Sequence, residues 1–229
     1  MRKAAPYLRL PFHGRTFYVE EGWYYSREER SIHRLRKHWG IDFRLARGTP
    51  ILAAHDGFAL AGYQHALRLW RGKPLMYQGK PVGFGMGYYV VIWNPARKRG
   101  SLSCHLERIS PRLPFTKPKG RFPNLGSKLG ALPPVEFVRR GRFVRAGEVI
   151  GWCGDQGCTW GYSDYPRRPN PHTHPSFDGV HLHFEVFRKY ANGVRYGFVD
   201  PFGLYRTFER YPRRVTARPG ALWLKPKIR

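Results

Sequence analysis

A mainly β fold is predicted by three observations. Aromatic residues make up 16% of the 229-residue chain, and it carries 26 Gly and 20 Pro, a composition suited to short strands joined by turns. No apolar stripe with a period near 3.6 persists over several turns. Residues 180–187 (VHLHFEVF) alternate in a strand-like way and are rich in strand formers.

Along the chain, residues 25–36 (YSREERSIHRLR) are mostly charged and predict a solvated loop or a single helical turn. The next segment, His38-Trp-Gly-Ile-Asp42, can be placed on a strand, where His38 and Asp42 share a face and Gly40 between them leaves room for an ion. His181 and His183 share a face in the same way. Three of these four groups suffice to hold Zn²⁺ and leave a position open for water, the arrangement of a catalytic rather than a structural zinc site. A second H-x-H, His172 and His174, lies between Pro171 and Pro175 and is expected on a loop, because proline interrupts a strand ladder.

Several further segments accompany these histidines. Residues 48–57 read GTPILAAHDG, 83–92 read GFGMGYYVVI, 103–106 read SCHL, 143–151 read FVRAGEVIG, and 199–201 read VDP. Together with the H-x-x-x-D and H-L-H-F-E segments, and in this order, they resemble the lysostaphin-type (LytM-like) zinc endopeptidases. The resemblance implies an antiparallel β-sheet or sandwich, zinc held by His38, Asp42 and His183, and hydrolysis of peptide cross-links or stem peptides of bacterial peptidoglycan. It also implies that His105 and His181, as a pair, supply the base for the attacking water and the donor to the transition-state oxyanion. H-E-x-x-H is absent, so there is no helical glutamate to serve as base.

Two departures from the family pattern stand out. Ser103-Cys104 precede His105 where the family has a tyrosine-led version, and proline-rich, basic insertions occupy residues 111–134 and 155–178. Structureless loops of this length are commonly functional, and these two are expected on the rim of a groove. The chain is expected to form a single domain over 1–229, with a core from about residue 10 to about 205 and a basic extension over 206–229.

Lys and Arg number 41 against 15 acidic residues, a net charge of +26. Such a field draws a protein to polyanions. The charge lies in scattered clusters (Arg139-Arg-Gly-Arg142, Arg167-Arg168, Arg213-Arg214), and no helix-turn-helix, zinc finger or RNP-type strand accompanies it. Anionic cell-wall polymer or an acidic surface is the expected partner, with nucleic acid as a charge-only alternative. A wall-binding or regulatory module that keeps the fold without turnover is the other rival reading. Its degenerate relatives usually lack a ligand, whereas this chain retains all five histidine and aspartate positions.

Of the three cysteines, Cys153 and Cys158 could close a small disulfide loop in an oxidising compartment. Cys104 is expected as a buried apolar residue on the face opposite His105. Residues 1–11 show no apolar run of signal-peptide length, and no stretch approaches a membrane span. The family resemblance implies an extracellular or envelope location.

Overall fold

The computed structural model describes residues 8–14, 16–25, 37–67, 69–74, 76–77, 80–81, 83–120, 124–127, 129, 132–157, 180–191 and 194–216. Strands in chain order are β1 (Thr16–Glu21), β2 (Ile41–Arg44), β3 (Pro50–Leu52), β4 (Gly57–Leu67), β5 (Leu69–Trp70), β6 (Lys73–Pro74), β7 (Met76–Tyr77) and β8 (Lys80–Pro81). They continue with β9 (Gly83–Asn94), β10 (Arg99–Ile109), β11 (Phe115–Thr116), β12 (Asn124–Gly126), β13 (Arg142–Val144), β14 (Val149–Cys153), β15 (Leu182–Ala191), β16 (Val194–Val199) and β17 (Arg214–Thr216). Among the described residues, 13 strands form one sheet whose main path runs β11-β4-β9-β10-β15-β2-β1-β17. Its pairings are antiparallel except that β11 runs parallel to β4. The mainly β, largely antiparallel expectation holds.

Strand alternation sorts the sheet into two faces. Ile41 and Phe43 of β2, Val90 and Ile92 of β9, and Leu182, Phe184 and Val186 of β15 join one apolar core. Four aromatic side chains knit it together: Phe12, Phe17 and Phe43 meet edge to face at 5.1–5.4 Å, and Phe202 stacks on Phe17 at 6.3 Å. Each fully buried side chain of this kind contributes roughly 1.5–3 kcal/mol. The opposite face carries a smaller core of Leu60, Tyr89, Val91, Trp93, Leu102, Cys104 and Phe187, capped by Phe137. Phe137 comes from a short helix, Pro134–Arg140, that starts on proline and pairs Glu136 with Arg139.

The insertion at 111–134 is not structureless. It carries β11 and β12, which both pair with β4 and extend the sheet's edge. At the other end, β17 pairs with β1, so the sheet runs past residue 205 into the segment expected as an extension. Residues 26–36 and 158–179 lie outside the described residues, and with them most of the charged 25–36 segment, His172, His174, Cys158 and nearly all of the second insertion. Cys153 is buried in β14. No helix among the described residues is long and apolar enough to cross a membrane.

Candidate metal centre

Asp42, His183 and Glu185 alternate with residues of the larger core, so they point to the other face of the sheet. Pairing of β2 with β15 sets Asp42 directly opposite His183, and pairing of β15 with β10 sets His183 opposite Cys104. His183 Nδ1 lies 2.7 Å from Asp42 Oδ1, and His38 Nε2 lies 3.3 Å from Asp42 Oδ2. One donor atom from each of His38, Asp42 and His183 falls within a 4.8 Å cluster. His105 and His181 adjoin it, with ring centroids 4.6 Å apart, and His181 Nε2 is 3.9 Å from Asp42 Oδ2. All five expected residues therefore meet in one place, each buried to between 6% and 9% exposure.

Strand periodicity accounts for only part of this convergence. His38 is not on a strand, because β2 begins at Ile41. It is turned toward Asp42 by Trp39, which adopts φ +66, a conformation costly for an aromatic residue. The Trp39 ring is packed against Trp23 at 6.3 Å and Phe198 at 5.1 Å, which offsets that cost. Gly40 does not leave room for an ion. A Cβ there would come within 2.6 Å of His183 Cε1, so the space belongs to the His183 ring.

Alternation also fails at His105. Cys104 belongs to the smaller core and Leu106 to the larger, so one residue between them is extra. The register of β10 against β9 shifts between Ser103 and Leu106, and His105 takes φ +62. This bulge turns His105 back to the metal side, where its ring is 6.1 Å from that of His183. Cys104 is buried and apolar in its surroundings, as expected, but it shares a face with His105 instead of opposing it.

Three of the rings are fixed through a second nitrogen. His38 Nδ1–H donates to the Gly22 carbonyl at 2.9 Å, leaving the lone pair on Nε2, the nitrogen that faces Asp42. His105 Nδ1–H donates to the Gln156 carbonyl at 2.8 Å, leaving its lone pair on Nε2. His183 Nε2–H donates to Glu185 Oε1 at 3.2 Å. Sequence reasoning assigned no role to these partners. Glu185 was accessible through alternation, two residues beyond His183, whereas Gly22 and Gln156 act through backbone carbonyls that leave no side-chain signal.

The electrostatics follow the packing. Burial penalises charge at Asp42, but His38, His181 and His183 outweigh it and hold the carboxyl well below its ordinary range. Burial likewise disfavours charge on His183, yet Asp42 and Glu185 hold it up to about 10. His105 is driven well below the ordinary histidine range by burial, then by His181 and His183, and is neutral. Two imidazoles and one carboxylate converging on one point, with the ring nitrogens oriented from behind, suit a divalent ion of zinc's preferences.

No family model and no curated protein matches the sequence. Solved structures similar to it include lysostaphin, an antimicrobial peptidase from Staphylococcus simulans, at 16% identity and TM-score 0.39 over 79% of this chain and 47% of that one. A zinc-containing peptidase from Vibrio cholerae is 18% identical at TM-score 0.43, over 84% of this chain and 39% of its own. A catalytic-domain variant of the prophage-encoded M23 protein EnpA from Enterococcus faecalis is 18% identical at TM-score 0.41, over 82% and 92%. This chain thus spans less than half the length of the first two. The structures to which it is similar are consistently peptidases, lysostaphin and M23 proteins among them.

Proposed function

We propose that the chain is a zinc-dependent endopeptidase of the lysostaphin type, acting as a single domain on peptide cross-links or stem peptides of bacterial peptidoglycan outside the cell or in its envelope. The observation that carries this reading is the convergence of His38, Asp42 and His183 beside the close pair His105 and His181. In it, His38 Nε2, the Asp42 carboxylate and His183 hold the ion. When bound, zinc supplies Lewis acidity to water and to a peptide carbonyl.

The remaining chemistry belongs to the other two histidines. His105 is neutral, with its proton committed at Nδ1 to Gln156, so Nε2 is free to take the proton of the attacking water. His181 sits with Nε2 3.9 Å from the Asp42 carboxylate and its ring beside that of His105, where a ring N–H can donate to the developing oxyanion. After attack, the proton held at His105 Nε2 is available to the departing amine. Low exposure of all five groups excludes bulk water and strengthens each interaction.

The decisive experiment compares wild type with Asp42→Ala. Wild type is expected to contain one zinc per chain by metal analysis and to release new amines from purified peptidoglycan, and Asp42→Ala is expected to lose both while remaining folded. Full zinc content in Asp42→Ala would remove Asp42 from the site, and zinc-loaded wild type that releases no amines would favour a binding module.

A further inference from the structure

The Val199-Asp-Pro201 segment is not part of the proposed reaction, yet its aspartate is among the most buried charged groups in the molecule. Asp200 Oδ1 accepts the Tyr211 hydroxyl at 2.7 Å and the Phe202 N–H at 2.9 Å. Oδ2 accepts the N–H groups of Tyr205 at 2.7 Å and Leu204 at 3.2 Å. One carboxylate thus organises the turn after β16 and ties the Tyr211 ring to it.

Both tyrosines so placed bear on the short segment after β1. A Cβ on Gly22 would come within 2.4 Å of the Tyr211 ring, so that ring lies flush against the Gly22 backbone. Tyr205 meets the ring of Trp23 edge on at 5.4 Å. Gly22 and Trp23 in turn hold His38 twice: the Gly22 carbonyl accepts its Nδ1–H at 2.9 Å, and the Trp23 carbonyl accepts its backbone N–H at 3.1 Å. His38 lies outside any strand, just after the isolated bridge between Tyr24 and Lys37, and these two carbonyls fix its backbone and its ring.

We propose that Asp200 and Tyr211 are positioning residues for His38: the carboxylate fixes Tyr211, whose ring seats the Gly22 backbone so that its carbonyl holds Nδ1 and turns Nε2 toward Asp42. The inference rests on the reading of His38 as a metal ligand. It predicts that a residue far along the chain, with no atom at the metal centre, sets metal affinity. Outer groups that orient a ligating histidine are commonly worth about 10- to 100-fold in metal affinity.

The test uses the full chain and reads zinc affinity by chelator competition, the visible spectrum of the cobalt-loaded protein, and thermal unfolding of the metal-free form. Gly22→Ala pushes a methyl into the Tyr211 ring, and Tyr211→Phe removes only the hydroxyl. Both are expected to weaken zinc about 10- to 100-fold and to alter the cobalt bands. Val144→Ala, which loosens the larger core at β13, a strand paired with β4 and not with β1, is the stability control and should bind zinc as wild type does. Wild-type affinity and spectrum in both Gly22→Ala and Tyr211→Phe would overturn the inference. So would an equal affinity loss in Val144→Ala at matched stability. Failure of the metal reading looks different: wild type itself would then bind no stoichiometric zinc, or Asp42→Ala would retain it.

Discussion

At the residue scale, the five buried groups divide by what their nitrogens are already doing. His38 and His183 sit against Asp42 with their other nitrogens held from behind, whereas His105 keeps its Nε2 lone pair open and, among the described residues, pairs with no carboxylate. His105→Ala and His181→Ala should therefore each lower kcat by about 100- to 10,000-fold while leaving one zinc per chain. Zinc loss reversed by excess metal would make them ligands instead. A pH effect follows from His183. Its pKa in the folded, metal-free protein is about 10, above its value in an unfolded chain. The Asp42–His183 pair thus stabilises the metal-free fold fully below about pH 6.5 and less and less as pH rises toward 10. Zinc must displace that proton, so binding at pH 7 should release about one proton, and affinity should climb over the same window. Calorimetry in buffers of different ionisation enthalpy counts the proton, and an unchanged binding heat across buffers would contradict the assignment.

At the element scale, the glycine-led start of β9 and the turn after β14 act as one device. A Cβ on Gly87 would fall 2.2 Å from the Gln156 carbonyl oxygen, and Gly87 holds φ +59. That carbonyl is the one that fixes His105. Arg47 pins the same turn by a bidentate pair with Asp155, at 2.9 and 2.6 Å, and the Gly154 N–H donates to the His105 carbonyl at 3.1 Å. Gly87→Ala should displace the Gln156 carbonyl and lower kcat by at least about 10-fold, with zinc stoichiometry retained. Steady-state kinetics alongside metal analysis checks it, and an unimpaired kcat would show that His105 does not depend on this contact. The Arg47–Asp155 pair is exposed enough on both sides that it contributes little to overall stability.

At the scale of the whole molecule, a net charge of +26 surrounds a site whose own groups are buried. Exposed charges are screened over about 8–10 Å at physiological salt, so the field acts on encounter with an anionic surface far more than on bond cleavage. Binding to intact cell wall should weaken steeply between low and physiological salt, while kcat/KM on a short soluble peptide changes much less. Sedimentation of protein with purified wall over a salt series measures the first, and insensitivity to salt there would separate the charge from wall attachment. A preference for DNA or RNA over wall, with a log–log salt slope set by neutralised phosphates, would identify a nucleic-acid binder.

The residue types of the site, their order in the chain and the β class were legible from sequence, because ligand chemistry is local to each side chain and strand alternation is local to each segment. Alternation grouped His38 with Asp42 and His181 with His183, and it was the β2–β15 pairing that set Asp42 opposite His183. Where local rules failed, a contact from a distant segment had overridden them. His38 reaches the centre through the Trp39 turn, held by carbonyls of Gly22 and Trp23, and His105 through a bulge held by the Gln156 carbonyl. The glycine at 40 reads as space for an ion until the His183 ring, brought from the far end of the chain, is found filling it. Backbone carbonyls look alike at every position of a sequence, and a left-handed residue is tolerated only where surrounding packing offsets its cost. For that reason the residue types able to serve as donors were determined by the sequence itself, and their orientation toward one another was decided only by the tertiary structure.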